Sequence, residues 1–262
     1  MQQSLKFMNS SVFYILPFVY FLKTRMFSFK HFVFHFYYEW IPGIALLFIS
    51  SGSLSSALLY FAVLYLVFIS FYELGYLLND HYSVKHEKEP RLRSKTLTKT
   101  ELLLFLILRI TLFSFLVWYK DLWLNKEFII FYAVMGIVFI AHNILKVNEY
   151  KILTFIGLAT FRFFAPFVFF IPANLLKLIF PSVLIMYVFY RAFTYMESKS
   201  VLVIPGRKNG NFKLAYYSLL IPISLLLSLF FKAYLPLIIN FYFLIFWLAF
   251  KVFEKNTNEE IE

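Results

Sequence analysis

From Leu54 to Leu78 the chain runs twenty-five residues with a single charged side chain, Glu73. A soluble fold has no place for a run of that length, whereas a bilayer does. About 20 mostly apolar residues in a helix cross about 30 Å of hydrocarbon, and a helix satisfies every backbone N–H and C=O without water. Similar runs lie near 32–51, 100–119, 127–146, 150–171, 177–197, 214–231 and 234–254, which makes eight expected spans, with 11–23 a candidate ninth. The runs do not alternate with the period of two that a barrel strand requires. Hydrophobic residues make up 61% of the chain and charged residues 15%, at a mean hydropathy of +0.75, well above the roughly 45–50% apolar content of a soluble domain. The expected fold is therefore all-α: a polytopic membrane helical bundle of eight or nine transmembrane helices in a single domain over 1–262. Residues 11–31 are expected as an N-terminal interfacial or extra helix, retained because no small-residue cleavage site precedes Lys23, and 254–262 as a solvated acidic tail.

A net charge of +11 would point to nucleic acid in a soluble chain. Here the rule that Lys and Arg collect in cytoplasmic loops explains it more cheaply. With the N-terminus inside, 17 basic residues fall on the cytoplasmic side, and only Lys120, Lys126 and Lys232 fall on the other. The expectation is a multi-pass protein of the cell membrane whose partner is the lipid bilayer and not nucleic acid. There is no cysteine, so disulfide, thiolate and zinc-knuckle chemistries are excluded. The HExxH, Walker and GxSxG patterns are also missing.

The longest of these apolar runs ends in a dense group of charges. GYLLNDHYSVKHEKEPRLRSKTLTK, residues 75–99, holds six basic and three acidic side chains. Glu73, Asp80 and Glu87 are seven apart with Ser83 between them, so a helix continued past the membrane edge would carry them near one face. Such oxygens suit a hard cation. Mg2+ prefers a few carboxylates plus water and substrate phosphate oxygens, and Lys85, Lys88, Arg91 and Arg93 just beyond can grip the same phosphate. The competing reading is a loop that only sets topology, although the acidic residues contribute nothing to that. Ionisable groups inside the runs need partners or a wet cavity: Arg162 and Arg191 are expected to line a pocket, while Glu73 and Arg109 can satisfy each other between neighbouring helices. Glu39, beside Trp40, reads as interfacial. His31 and His35 share a helix face, where packing competes with metal binding. A third cluster, Tyr195, Glu197, Lys199 and then IPGRKNGNFK, is either another inside loop or the opposite wall of a phosphate site.

The stretch YLLNDHYSVKHEKEPRLRSK resembles the first signature of the UbiA superfamily of membrane prenyltransferases. On that resemblance Asn79 and Asp80 match the opening pair, Ser83 and Glu87 stand where two further aspartates are expected, and Lys88, Arg91 and Arg93 form the basic tail. The segment ending in Lys146, followed by Arg162, resembles the family's "LK … R" pairing, and Glu197 with Lys199 falls where its second motif is expected. The resemblance implies helices around a cytoplasm-facing cavity and Mg2+ held by Asn79, Asp80, Ser83, Glu87 and Glu197. It also implies phosphate contacts from Lys88, Arg91, Arg93, Lys146 and Lys199, with Asp80, Glu87 and Arg162 as catalytic residues. The implied reaction is transfer of a prenyl group from a prenyl diphosphate. Phosphoribosyl transfer to a polyprenyl phosphate, or a catalytically silent carrier or binder of lipid phosphates, is the alternative. Ser83 and Glu87 depart from the family's aspartates, and Glu197 lacks the usual second acid.

Overall fold

The computed structural model describes residues 15–26, 28–83, 97–207 and 209–259. Among these residues every regular element is helical: α1 Val19–Arg25, α2 Phe29–Ser51, α3 Leu54–His81, α4 Lys99–Tyr119, α5 Lys126–Ile144, α6 Asn148–Phe164, α7 Ala173–Ser198, α8 Gly210–Phe231 and α9 Leu235–Glu259. Six of them, α2 to α5, α7 and α8, are long and apolar enough to cross a membrane. The expected fifth and eighth spans take another form. Helix α6 has seventeen residues, buries Lys151 and Arg162, and gives way to a turn and a 3-10 piece at Val168–Phe170; the apolar part of α9 is Leu235–Lys251. Of the candidate ninth span at 11–23, residues 15–23 are described, and they enter the seven-residue α1 at Val19.

Local chemistry sets many of the ends. Helix α2 stops at Gly52, whose left-handed φ of 68° suits a residue with no Cβ, and Ser53 then caps α3 by accepting the Ser56 N–H at 3.4 Å. A reciprocal box of Thr98 and Glu101 opens α4, and Asn125 caps α5. Two helices widen into π turns, Phe36–Trp40 in α2 and Leu184–Phe189 in α7. Each has a proline near it, Pro42 or Pro181, which supplies no N–H and forces the ladder to reorganise.

By internal contacts the chain separates into two compact units, Met1–Ile171 and Pro172–Glu262. In the first, α3 is the hub and packs on α1, α2, α4 and α5. Its residue Gly75 lies so close to α5 that a Cβ there would meet the Phe139 ring at 2.3 Å. In the second unit α9 packs on α7 and α8. There Tyr216 and Tyr217 donate to the carbonyls of Ile185 and Met186 at 2.6 and 3.1 Å, taking up acceptors on the α7 π turn. Many large side chains point outward, among them Ile137, Leu153, Leu226 and Phe230, as surfaces solvated by hydrocarbon do.

Gly75→Ala is expected to cost about 1–3 kcal/mol of stability through overpacking against Phe139, read as a lower melting temperature in detergent. Gly157→Ala, whose new Cβ would sit in ordinary contact at 3.4 Å from Val138, is expected to leave that temperature nearly unchanged.

Candidate functional site

Tyr76 and Asp80 stand at i and i+4 on one face of the last turns of α3, and Ser83 lies two residues past the helix end at His81. Both acceptors are buried: Asp80 is 7% and Ser83 1% exposed. Each meets a cation from another segment. Arg25, the last residue of α1, donates from Nη2 to Asp80 Oδ1 at 2.8 Å and lays its guanidinium over the Tyr76 ring, 4.2 Å from the centroid. Tyr20 of α1 donates its hydroxyl to the other oxygen, Oδ2, at 2.7 Å, and Asn79 Nδ2 reaches Oδ1 at 3.1 Å. Lys151, in the first turn of α6, donates from Nζ to Ser83 Oγ at 3.1 Å and is itself buried. Burial works against the Arg25 charge, but the Asp80 carboxylate outweighs it and holds the guanidinium above its usual range.

A second knot adjoins through Tyr76. Arg162 donates to the Tyr76 hydroxyl, and from Nε to Glu39 Oε1 at 2.8 Å. Its Nη2 lies 3.1 Å from His35 Nδ1, and the same His35 nitrogen lies 3.1 Å from Glu39 Oε2. Guanidinium only donates and carboxylate only accepts, so a proton on His35 Nδ1 decides which of the two it bonds. The π turn of α2 contains Glu39 and so helps to aim it. Aromatic faces surround these charges: Arg162 lies over Phe21 and Tyr72, 5.2 and 5.6 Å from their centroids, and Phe21 stacks on Tyr76.

What brings α1 to this end of α3 is a third pair. Glu73 and Arg109, both fully buried, are 2.9 Å apart between α3 and α4, as the sequence leads one to expect. Glu73 also accepts the backbone N–H groups of Phe18 and Phe21 at 3.2 and 2.8 Å, and Arg109 donates to the carbonyls of Ile15 and Leu16. The pair therefore pins the backbone of residues 15–21 to α3 and α4.

In the first unit, then, Asn79, Asp80 and Arg162 belong to one polar cluster connected through Arg25 and Tyr76, Ser83 pairs with Lys151, and Lys146 is exposed in the loop between α5 and α6. Glu87, Lys88, Arg91 and Arg93 lie outside the described residues. In the second unit Glu197 pairs with Arg207, which also donates to Thr194 Oγ1 at 3.1 Å. Lys199 is half-buried with Nζ 5.8 Å from the Tyr195 ring centroid, and Arg191 lies over Tyr187. The described donors at the end of α3 do not by themselves fit a divalent cation: three of the carboxylate's roughly four lone-pair positions are taken, one of them by a guanidinium. Ser83 Oγ faces an ammonium. Among the described residues no three of His, Asp and Glu gather as a metal-binding group. Sequence reasoning missed Arg25 and Lys151, which the charge rule had absorbed, and Glu39, which looks interfacial. The available signal was that each charge inside or beside an apolar run needs a partner.

No protein-family model, curated protein or solved structure matches the chain.

Glu39→Leu strands the Arg162 charge and is expected to cost about 3–5 kcal/mol, whereas Glu39→Leu with Arg162→Met removes both charges and recovers most of that loss. Melting temperatures of the two variants in detergent test it; equal losses would mean that the pair is not energetically coupled.

Proposed function

We propose that this chain is an integral membrane transferase that moves a prenyl group from a prenyl diphosphate to an acceptor, with the end of α3 as the seat of the departing diphosphate. The observation that carries this reading is the convergence of Arg25, Lys151 and Arg162, from α1 and α6, on Tyr76, Asp80 and Ser83. Buried cations gathered at one helix end are costly unless they serve an anion, and the position is the one the UbiA resemblance assigns to diphosphate. In this reading α6 and the apolar part of α9 join the six span-length helices as crossings, eight in all. Helix α1 lies at the interface, the end of α3 faces the cytoplasm of a cell-membrane protein, and the helices enclose a cavity open to that side.

In the step itself, the C1–O bond of the prenyl diphosphate breaks heterolytically and its electron pair leaves on the diphosphate oxygen. Arg25 and Lys151 stabilise that developing charge from fixed positions, which is where electrostatic catalysis is most effective. The allylic cation left behind needs electron-rich faces. Phe21, Tyr72 and Tyr76 already hold guanidinium ions over theirs. The acceptor's nucleophile then bonds to C1 and gives up its proton. The resemblance also implies Mg2+ at the acidic motifs, which would add Lewis-acid stabilisation of the diphosphate; the described donors favour guanidinium and ammonium in that role. A second reading, a catalytically silent lipid-phosphate binder, is favoured by one feature: Asp80 is already neutralised by Arg25.

Purified protein in lipid nanodiscs, given labelled prenyl diphosphates with a panel of acceptors, tests the proposal, with phosphoribosyl diphosphate plus polyprenyl phosphate as the competing arm. Lys151→Ala is expected to lower kcat/KM by about 100-fold or more, the scale of removing one preorganised charge from a transition state, and Lys151→Arg to restore part of it. Binding without turnover in every arm would replace the transferase with the silent binder. Turnover indifferent to Lys151 would move the diphosphate away from the end of α3.

A further inference from the structure

We propose that Arg25 is the resident cation of Asp80, standing where a divalent metal ion would stand, so that phosphorylated ligands bind at this end of α3 without metal and loss of Arg25 creates a metal site. The inference rests on the reading of the α3 end as a phosphate seat, but its central test does not require turnover.

Asp80, with a side chain 1% exposed, offers Oδ1 to Arg25 Nη2 and Asn79 Nδ2 and Oδ2 to the Tyr20 hydroxyl. A divalent ion at Oδ1 would have to displace Arg25 or Asn79, and one at the remaining position on Oδ2 would share the carboxylate with a guanidinium, against like-charge repulsion. Asn79 turns its amide N–H to Asp80, so its donor end is engaged within the motif. Ser83, where a third oxygen ligand is expected, accepts from Lys151. Asp80 and Ser83 are thus each served by a cationic donor, and the third described motif position, Asn79, donates to Asp80.

Arg25 is suited to that place in a way a surface arginine is not. Its planar fork holds Asp80 with Nη2 and the Thr24 carbonyl with Nη1 at 3.3 Å. The Tyr76 ring supports its face. A guanidinium has five donors, so it can hold a carboxylate on one edge and phosphate oxygens on another. It is also delivered by a dedicated anchor. The Glu73–Arg109 pair fixes the backbone at Ile15, Leu16, Phe18 and Phe21, and from there one short helix carries Tyr20 and Arg25 to the two oxygens of Asp80. A metal ion would be recruited from solution. This cation is tethered, and its supply does not vary with metal concentration.

The test uses the full chain in nanodiscs and Mn2+ as the probe, followed by electron paramagnetic resonance. Wild type and Asp80→Asn are expected to take up Mn2+ alike. Arg25→Gln is expected to gain one site at least tenfold tighter, and Arg25→Gln with Asp80→Asn to lose it; Arg25→Lys, which keeps the charge, should behave as wild type. A wild-type Mn2+ site that Asp80→Asn abolishes would overturn the proposal, as would an Arg25→Gln protein that stays folded and gains nothing. If Arg25→Gln does not fold, the comparison of wild type with Asp80→Asn still decides. Inorganic diphosphate supplies the second arm: wild type should bind it equally in EDTA and in Mg2+, and Arg25→Gln only with Mg2+. Wild-type binding that requires Mg2+ counts against Arg25. No diphosphate binding under any condition counts against the phosphate seat, and the Mn2+ comparison then judges Arg25 by itself.

Discussion

Among the described residues the three buried carboxylates, Glu39, Glu73 and Asp80, each meet an arginine from another segment, and most of what is specific about the first unit follows from that. In an apolar medium an unpaired charge is costly and two paired ones are tolerable. Each pair therefore fixes which segments must be adjacent. Glu73–Arg109 ties α3 to α4, Glu39–Arg162 ties α2 to α6, and Asp80–Arg25 ties α3 to α1. Hydrocarbon rewards apolar contact between helices very little, because lipid tails are as apolar as leucine. The polar pairs carry the specificity that oily packing does not.

The three pairs are not equivalent. Glu73–Arg109 is fully enclosed, and its remaining hydrogen-bonding capacity goes to the backbone of residues 15–21, so its role is architectural. Glu39–Arg162 shares a histidine and a tyrosine hydroxyl, with two aromatic faces against the guanidinium. Asp80–Arg25 lies at the end of α3, next to Lys151. From Glu73 to Asp80, α3 passes from a fully enclosed pair to one whose cation, in our proposal, serves a ligand. The second unit repeats the pattern at Glu197 and Arg207 on its own.

The helices were legible in the sequence because lipid imposes a length and a composition that few soluble folds share. The six span-length helices fall within a few residues of the expected runs. Less legible was α6, where Lys151 and Arg162 lower the apolar content of a segment that its neighbours would lead one to read as an ordinary span. Within the polar clusters of the first unit, Asp80 and Ser83 were singled out by the spacing of oxygens along the sequence, and Arg162 by its position inside an apolar run. Their partners were not, since pairs 55 to 123 residues apart leave no local periodicity to detect. Arg25 and Lys151 illustrate a further ambiguity. A cation beside a membrane-facing run obeys the topology rule whether or not it also has a carboxylate or hydroxyl to serve.

That ambiguity bears on how an acidic motif in such a chain should be interpreted. Acidic side chains at a helix end invite a metal, because oxygen spacing is visible in the sequence and the cation that neutralises it is not. With Ser83 where the resemblance expects an acid, the described residues there present one carboxylate, which suits the guanidinium and ammonium site we propose. One carboxylate balances one arginine, a serine oxygen accepts from one lysine, and additional acid would repel the phosphate such a site would hold. The departures from the metal-binding pattern and the presence of Arg25 and Lys151 are, on this argument, two sides of one electrostatic balance.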